Sequence, residues 1–179
     1  MTSLSQTLAL LKSGGTQRYH THAADLIKTQ DTAQHAYNVA WLVYALTRGA
    51  ASHELFVHAL GHDAGERWAG DLPAPTKRTL GIRKSFGEFE SAQLALKTGL
   101  ILPRLSPLEE KILKLADSLE GARFCCNEIA LGNSLPVGML RNFLDYAHEV
   151  LVSIEPAETT ATIDLQLYAG LHKLFSEDL

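Results

Sequence analysis

The sequence predicts an all-α protein, folded as a bundle of about six or seven helices. Apolar residues recur at intervals of three and four along most of the chain, which is the spacing of one helix face. Alternating runs of β-branched residues, which would indicate strands, are few. Strong helix-start signals also stand before apolar stretches, as where Ser106 is followed by Pro107 and Glu109.

The boundaries of the helices follow from caps, glycines and prolines, taken in chain order. The pair Gly14-Gly15 should stop a short first helix, and residues 16–31 should form a loop or a short helical turn. Asp31 caps the next helix, which Gly49 ends. Residues 66–85 contain several glycines and prolines and should form a long loop. The predicted helices cover about residues 3–12, 32–48, 52–65, 86–98, 107–131, 136–153 and 158–176.

Length and composition indicate one globular domain. The chain has 179 residues, of which 46% are apolar and 20% charged, so a single domain over residues 1–179 is expected. The net charge of −4 argues against binding nucleic acid through bulk charge. We expect no membrane association, because no apolar run approaches the roughly 20 residues of a membrane helix. The amino terminus lacks the features of a secretion signal, so a cytoplasmic protein is expected, in the host cytoplasm if it is viral.

Two histidines interrupt the apolar faces of predicted helices. His35 precedes Val39 and Leu46 by four and eleven residues, so it shares their face of the helix. His62 follows Leu55 and Ala59 by seven and three residues and shares theirs. Each imidazole is therefore expected to point toward the core, where both of its ring nitrogens need partners.

Two aspartates occur in comparable positions. Asp63 directly follows His62 at the inner end of an apolar helix, and Asp117 stands within the apolar stretch 112–119. A lone buried aspartate costs several kcal/mol unless it is paired or bound to a metal. Two imidazoles and two carboxylates suit one borderline divalent ion. The alternative is a non-catalytic helical module, in which the histidines are satisfied core residues.

Short motifs around these residues resemble the HD-domain phosphohydrolase superfamily. The order of His35, His62-Asp63 and Asp117 follows its H…HD…D signature. The wider match is to bacterial 5′-deoxynucleotidases and to phage dATP triphosphohydrolases, and it covers about residues 16–133. The matching motifs are Arg18-Tyr19-His20-Thr21, Thr32-Ala33-Gln34-His35, His62-Asp63-Ala64-Gly65-Glu66, Gly70-Asp71-Leu72-Pro73-Ala74-Pro75-Thr76-Lys77 and Lys114-Leu115-Ala116-Asp117.

The resemblance implies an HD-domain helical bundle and a role for each matched residue. The metal ligands it implies are His35, His62, Asp63 and Asp117. Glu66, four residues after His62, is the candidate general acid or base, and the resemblance implies that Asp71 helps organise the metal-bound water or the substrate. The implied substrate contacts are Arg18 and Lys77 on phosphate and Tyr19, Thr21 and Pro75 on the sugar and base. Lys114 lies three residues before Asp117, on a nearby helix face, and is expected to reach a longer phosphate tail. The ion is expected to be Co²⁺, Mn²⁺, Zn²⁺ or Fe²⁺, and the set is compatible with a second ion on the substrate phosphates.

The activity that the resemblance implies is metal-dependent hydrolysis of 2′-deoxynucleotides. The compact chain and its Arg-Tyr-His-Thr motif favour the phage-type reaction. In that reaction a dATP/dNTP triphosphohydrolase releases triphosphate and depletes the dATP pool. The alternative is a 5′-deoxynucleotidase acting on dNMPs. Where the family usually has glutamate and often has tryptophan, this chain has Gln34 and Tyr19, which leaves the metal ligands intact and the sugar and base preference open.

The expected partners follow from the same resemblance. The substrate is a small deoxynucleotide, and no stable nucleic-acid partner is expected. Relatives of this kind are often dimers or hexamers, so a homo-oligomer is expected, with residues 134–179 as a candidate interface.

Overall fold

The computed structural model describes residues 3–177, apart from the side chain of Ala23. This range is helical and contains no strand, so the all-α prediction is confirmed. An isolated bridge joins Gln17 and Asp31, at the two ends of the segment that precedes the second helix. The helices are α1 (Leu4–Ser13), α2 (Thr32–Leu46), α3 (His53–Gly61), α4 (Glu66–Ala69), α5 (Ala74–Thr79), α6 (Arg83–Thr98), α7 (Pro107–Ala130), α8 (Val137–Val152), α9 (Pro156–Thr162) and α10 (Leu165–Ser176), and a 3₁₀ helix spans His20–Asp25.

Several of the predicted helix starts are confirmed by their capping geometry. Ser106 and Glu109 form a reciprocal capping box at the start of α7. The Asp31 carboxylate accepts a hydrogen bond from the Gln34 N–H at 2.8 Å and so caps α2. These caps fix the residues at which α2 and α7 begin, and these two helices carry His35 and Asp117.

The core forms around α7, the longest helix of the described chain. Ile112, Leu115 and Leu119 of α7 are all at most 1% exposed and face α2, α3 and α8. Val39 and Val43 of α2 are fully buried against the same core. Because α2 and α7 pack directly on each other, polar residues on their facing sides are brought together inside the protein. Among residues 3–177, no helix has the length and apolar character needed to cross a bilayer.

The predicted boundaries are wrong in the middle of the chain. The helix predicted over 52–65 ends at Gly61, and residues 62–65 form a turn before α4. Gly65 lies so close to the backbone of Glu90 that a Cβ atom would be 2.5 Å from its carbonyl oxygen, which ties the turn to α6. The long loop predicted over 66–85 is also wrong, because this segment contains α4, α5 and the start of α6.

The single helix predicted over 158–176 is wrong as well. The chain divides there into α9 and α10, with Ile163 fully buried in an extended conformation between them. The Asp164 N–H donates to the Leu46 carbonyl at 2.7 Å, so the break satisfies a carbonyl at the end of α2. Asp164 also caps α10 by accepting from the Leu167 N–H.

Candidate metal centre

Helices α2 and α7 and the turn after α3 bring the predicted metal ligands together. His35 is in the first turns of α2 and is fully buried, on the face that also carries Val39. His62 and Asp63 are the first two residues of the turn after α3. Asp117 is in the middle of α7, with a side chain 43% exposed. The cluster therefore combines a fully buried histidine with an aspartate, Asp117, that reaches solvent.

The distances between these side chains are those of one coordination sphere. The Nε2 atom of His35 is 3.2 Å from Nε2 of His62, 3.1 Å from Oδ1 of Asp117 and 3.5 Å from Oδ2 of Asp63. The other Asp63 oxygen is 3.4 Å from Nε2 of His62. Ligand atoms bound to one ion at about 2.1 Å are roughly 3.0–3.4 Å apart. The His35, His62 and Asp117 group could therefore hold one metal ion, and Asp63 borders it.

The hydrogen bond at the Nδ1 atom of each imidazole decides whether its Nε2 atom faces the cluster with a lone pair or with a proton. The Nδ1 atom of His62 is 2.8 Å from the Ala59 carbonyl, which can only accept, so Nδ1 carries the proton. The Nδ1 atom of His35 is 2.7 Å from a carboxylate oxygen of Glu120 and donates to it. In the neutral imidazoles both Nε2 atoms are thus acceptors, and they meet two carboxylates. Such a group of acceptors could hold a cation, and these are the ligands a borderline divalent ion prefers.

Glu120 is a residue of the site that the sequence analysis missed. Its carboxylate is fully buried on α7 and contacts His35 directly. A signal was present in the sequence, because Glu120 follows Asp117 by three residues and therefore lies on the same face of a helix. In many metal sites, the histidine ring nitrogen that does not bind the metal donates its hydrogen to a carboxylate, which orients the ring.

Arg18, the predicted phosphate-binding cation, lies beside the predicted ligands and is paired with acidic groups there. Its guanidinium is 4.0 Å from Asp117 and 3.5 Å from Glu120. Burial by itself disfavours the charged form, yet the pKa of Arg18 is raised overall by Tyr19, Asp63, Asp117 and Glu120 around it. The guanidinium therefore stays charged next to the centre.

Glu66 is the most perturbed carboxyl group of the site. It is 8% exposed, and its Oε2 atom is buried and has no hydrogen-bond partner. Burial, and after it the charges of Asp63 and Asp71, raises the pKa of Glu66 to about 9. The group consequently holds a proton at neutral pH. Asp71 itself lies 3.5 Å from the Nδ1 atom of His20, on the outer side of the same cluster.

The predicted phosphate-binding lysines have different surroundings. Lys77 donates to Glu90 at 2.9 Å and lies 4.7 Å above the ring of Phe86, so it is paired within the protein. Lys114 is exposed at the rim of a cavity of about 590 Å³ that His62 also lines. Lys114 is thus free to extend toward a ligand, whereas Lys77 must leave Glu90 to do so.

The residues predicted for sugar and base are spread around the site. The Tyr19 ring stacks on Phe124 of α7 at 4.7 Å, and its hydroxyl is buried without a hydrogen-bond partner. Burial, ahead of all electrostatic effects, raises the pKa of Tyr19, so its hydroxyl keeps its proton. Thr21 is exposed and bonds to His22, and Pro75 is exposed in α5. Tyr19 therefore packs against α7, the helix that carries Asp117, whereas Thr21 and Pro75 lie at the surface.

The chain matches no protein-family model and no curated protein.

Proposed function

We propose that this protein is an HD-type metal-dependent phosphohydrolase that acts on 2′-deoxynucleotides. The observation that carries the proposal is the convergence of His35, His62, Asp63 and Asp117 into a cluster of acceptors at 3.1–3.5 Å. These four residues hold one divalent ion, Co²⁺, Mn²⁺, Zn²⁺ or Fe²⁺. The bound ion supplies Lewis acidity toward a phosphoryl oxygen and makes a bound water more acidic.

In this proposal the reaction breaks the bond between phosphorus and the 5′ oxygen of the nucleoside. Water attacks phosphorus and gives up one proton, and the departing 5′ oxygen gains one to leave as a hydroxyl group, so the number of protons is unchanged. Glu66 is assigned as the proton donor because its carboxyl group is buried near Asp63, its Oε2 atom has no hydrogen-bond partner, and burial raises its pKa in the metal-free protein. Asp71, whose charge acts on Glu66, helps organise the attacking water or the substrate.

The substrate phosphates are bound by cations around the cluster. Arg18 lies next to Asp117 and offers a planar guanidinium suited to two phosphate oxygens. Lys114, on the rim of the cavity beside His62, extends this positive surface for a longer phosphate chain. The favoured activity is therefore the phage-type release of triphosphate from dATP and related dNTPs.

One observation favours the alternative, a 5′-deoxynucleotidase that releases phosphate from dNMPs. Lys77 is occupied by Glu90 in an ion pair at 2.9 Å, which removes one of the cations expected on a triphosphate. A monophosphate needs only the metal and Arg18. Both reactions cleave the same bond with the same acid, so substrate length alone distinguishes them.

The test is to incubate the full chain with Co²⁺ and a panel of dNMPs and dNTPs and to identify the products. Triphosphate from dATP supports the favoured activity, and phosphate from dNMPs alone supports the alternative. The Asp63→Ala variant should lose the activity, whereas Asp145→Ala, which alters an exposed residue of α8, should keep it. A wild-type protein that hydrolyses no nucleotide and binds no ion is the non-catalytic helical module instead.

A further inference from the structure

The carboxylate of Glu120 is the centre of a hydrogen-bond network that reaches several elements of the fold. It is fully buried on α7, and donors approach both of its oxygens. The donors are Gln30 at 2.9 Å, Asn38 at 3.0 Å and Arg123 at 2.9 Å on Oε1, and His35 at 2.7 Å and Arg18 at 3.5 Å on Oε2. The amide nitrogens of Gln30 and Asn38 and the two guanidinium groups can only donate, so Glu120 accepts from them at both oxygens, and His35 donates to Oε2 in the tautomer that carries its proton on Nδ1.

The direction of these bonds is fixed independently by Gln30. Its Oε1 atom is 3.4 Å from the Arg18 guanidinium, which can only donate, so its amide nitrogen is the atom that faces Glu120. The Oε1 side of Glu120 is therefore committed to donors from three side chains. The Oε2 side requires a proton on Nδ1 of His35, and this leaves the Nε2 lone pair of His35 facing His62, Asp63 and Asp117.

We propose that Glu120 is a positioning residue that holds His35 in its metal-binding tautomer and ties Arg18 to the same carboxylate. The inference rests on the proposed metal centre, and it assigns to that centre an orienting carboxylate three residues after its ligand Asp117. Carboxylates in this position sharpen the orientation of the histidine and raise its basicity. In this proposal one buried carboxylate fixes both the tautomer of the metal ligand His35 and the position of Arg18, the cation proposed to bind the substrate phosphate.

Glu128 offers a matched control on the same helix. It is 1% exposed, and its carboxylate accepts from the N–H groups of Ile27 and Lys28 at 2.7 and 2.8 Å. Like Glu120, it is a buried acceptor on α7 that tethers the segment leading into α2. Glu128 contacts none of the proposed ligands. Its substitution therefore weakens the contacts with Ile27 and Lys28 without changing the tautomer of His35.

The test compares Glu120→Gln with Glu128→Gln in the full chain, using Co²⁺ as the probe. The amide in Glu120→Gln either presents N–H groups to Gln30, Asn38 and Arg123 or donates to Nδ1 of His35, which moves the ring proton to Nε2. Both arrangements weaken the site. Titration followed by the visible absorption of bound Co²⁺ should give an affinity about 10- to 100-fold lower than wild type, with an altered spectrum. Glu128→Gln should bind Co²⁺ within about twofold of wild type, whatever its thermal stability, since it leaves the ligands untouched.

Two results would overturn the inference while leaving the metal centre in place. One is a Glu120→Gln protein that binds Co²⁺ as wild type does. The other is an equal loss in both variants, which would mean that Glu120 acts only by tethering the chain. A wild-type protein that binds no Co²⁺ would remove the proposed function itself, and this inference with it.

A second variant keeps the test decisive if Glu120→Gln does not fold. Asn38→Ala removes one donor from Oε1 at a half-buried position of α2 and leaves the Glu120 side chain unchanged. Its Co²⁺ affinity should fall about threefold, which corresponds to one ordinary hydrogen bond. An unchanged affinity and spectrum would contradict the positioning role.

Discussion

The contact between Gly65 and α6 gives a prediction whose size can be read from the structure. Gly65 has an ordinary helical backbone, with φ −66° and ψ −25°, so alanine causes no dihedral strain there. Its Cβ atom, however, would lie 2.5 Å from the carbonyl oxygen of Glu90 and 2.9 Å from the carbonyl carbon. An ordinary contact requires the two backbones to separate by about 0.9 Å. The Glu90 backbone cannot rotate away as a side chain can, so α6 must shift and its packing is disturbed.

The expected cost of Gly65→Ala is about 1–3 kcal/mol of unfolding free energy, the usual cost of overpacking. For a domain of this size, each kcal/mol lowers the melting temperature by roughly 2–4 °C. Urea denaturation followed by circular dichroism measures the loss. The matched control is Gly87→Ala, because Gly87 lies in α6 and nothing is within 4 Å of its added Cβ. The control should be as stable as wild type or up to about 1 kcal/mol more stable. A Gly65→Ala protein as stable as the control would refute the close approach of the turn to α6.

Three further predictions follow from the site and the caps. Because the pKa of Glu66 is raised from 4.5 to about 9, its contribution to the stability of the metal-free fold is complete below pH 4.5 and is lost as pH rises toward 9. The Glu66→Gln variant should show a flatter dependence, measured by denaturation with EDTA between pH 5 and 9. Adding Co²⁺ at 100 times its dissociation constant should stabilise the wild type by about 2.7 kcal/mol, and EDTA should reverse the rise in melting temperature. Ser106→Ala removes the capping box of α7 and should cost about 1 kcal/mol in urea denaturation, whereas an unchanged midpoint would contradict the cap.

The sequence was sufficient to predict the helical class and the approach of His35, His62 and Asp117 to one another, with Asp63 beside them. His35 and His62 interrupt apolar faces, and the face of a helix follows directly from residue spacing. The caps at Asp31 and Ser106 are local and depend on residues three positions apart. Where the determining interactions are local or periodic, the sequence pattern and the structure therefore agree.

The features that were missed depend on contacts between distant segments. The pairing of Lys77 with Glu90 and the network of Glu120 require knowledge of which helices face each other. The break at Ile163 arises because this apolar residue is buried at the end of α2, which is far away in the sequence. The turn at 62–65 is fixed by α6 in the same way. Propensity alone favours a continuous helix in the last two cases, and tertiary packing overrides it.

The central claim is that one divalent ion is bound by both histidines of the cluster. X-ray absorption spectroscopy of the Co²⁺-loaded protein, with the metal content determined on the same sample, tests it most directly. The account predicts one ion per chain, with two imidazole ligands and carboxylate oxygens at about 2.0–2.2 Å. The His35→Ala variant should lose one imidazole from the spectrum. A protein that retains no ion after dialysis, or an ion without imidazole ligands, would contradict the account.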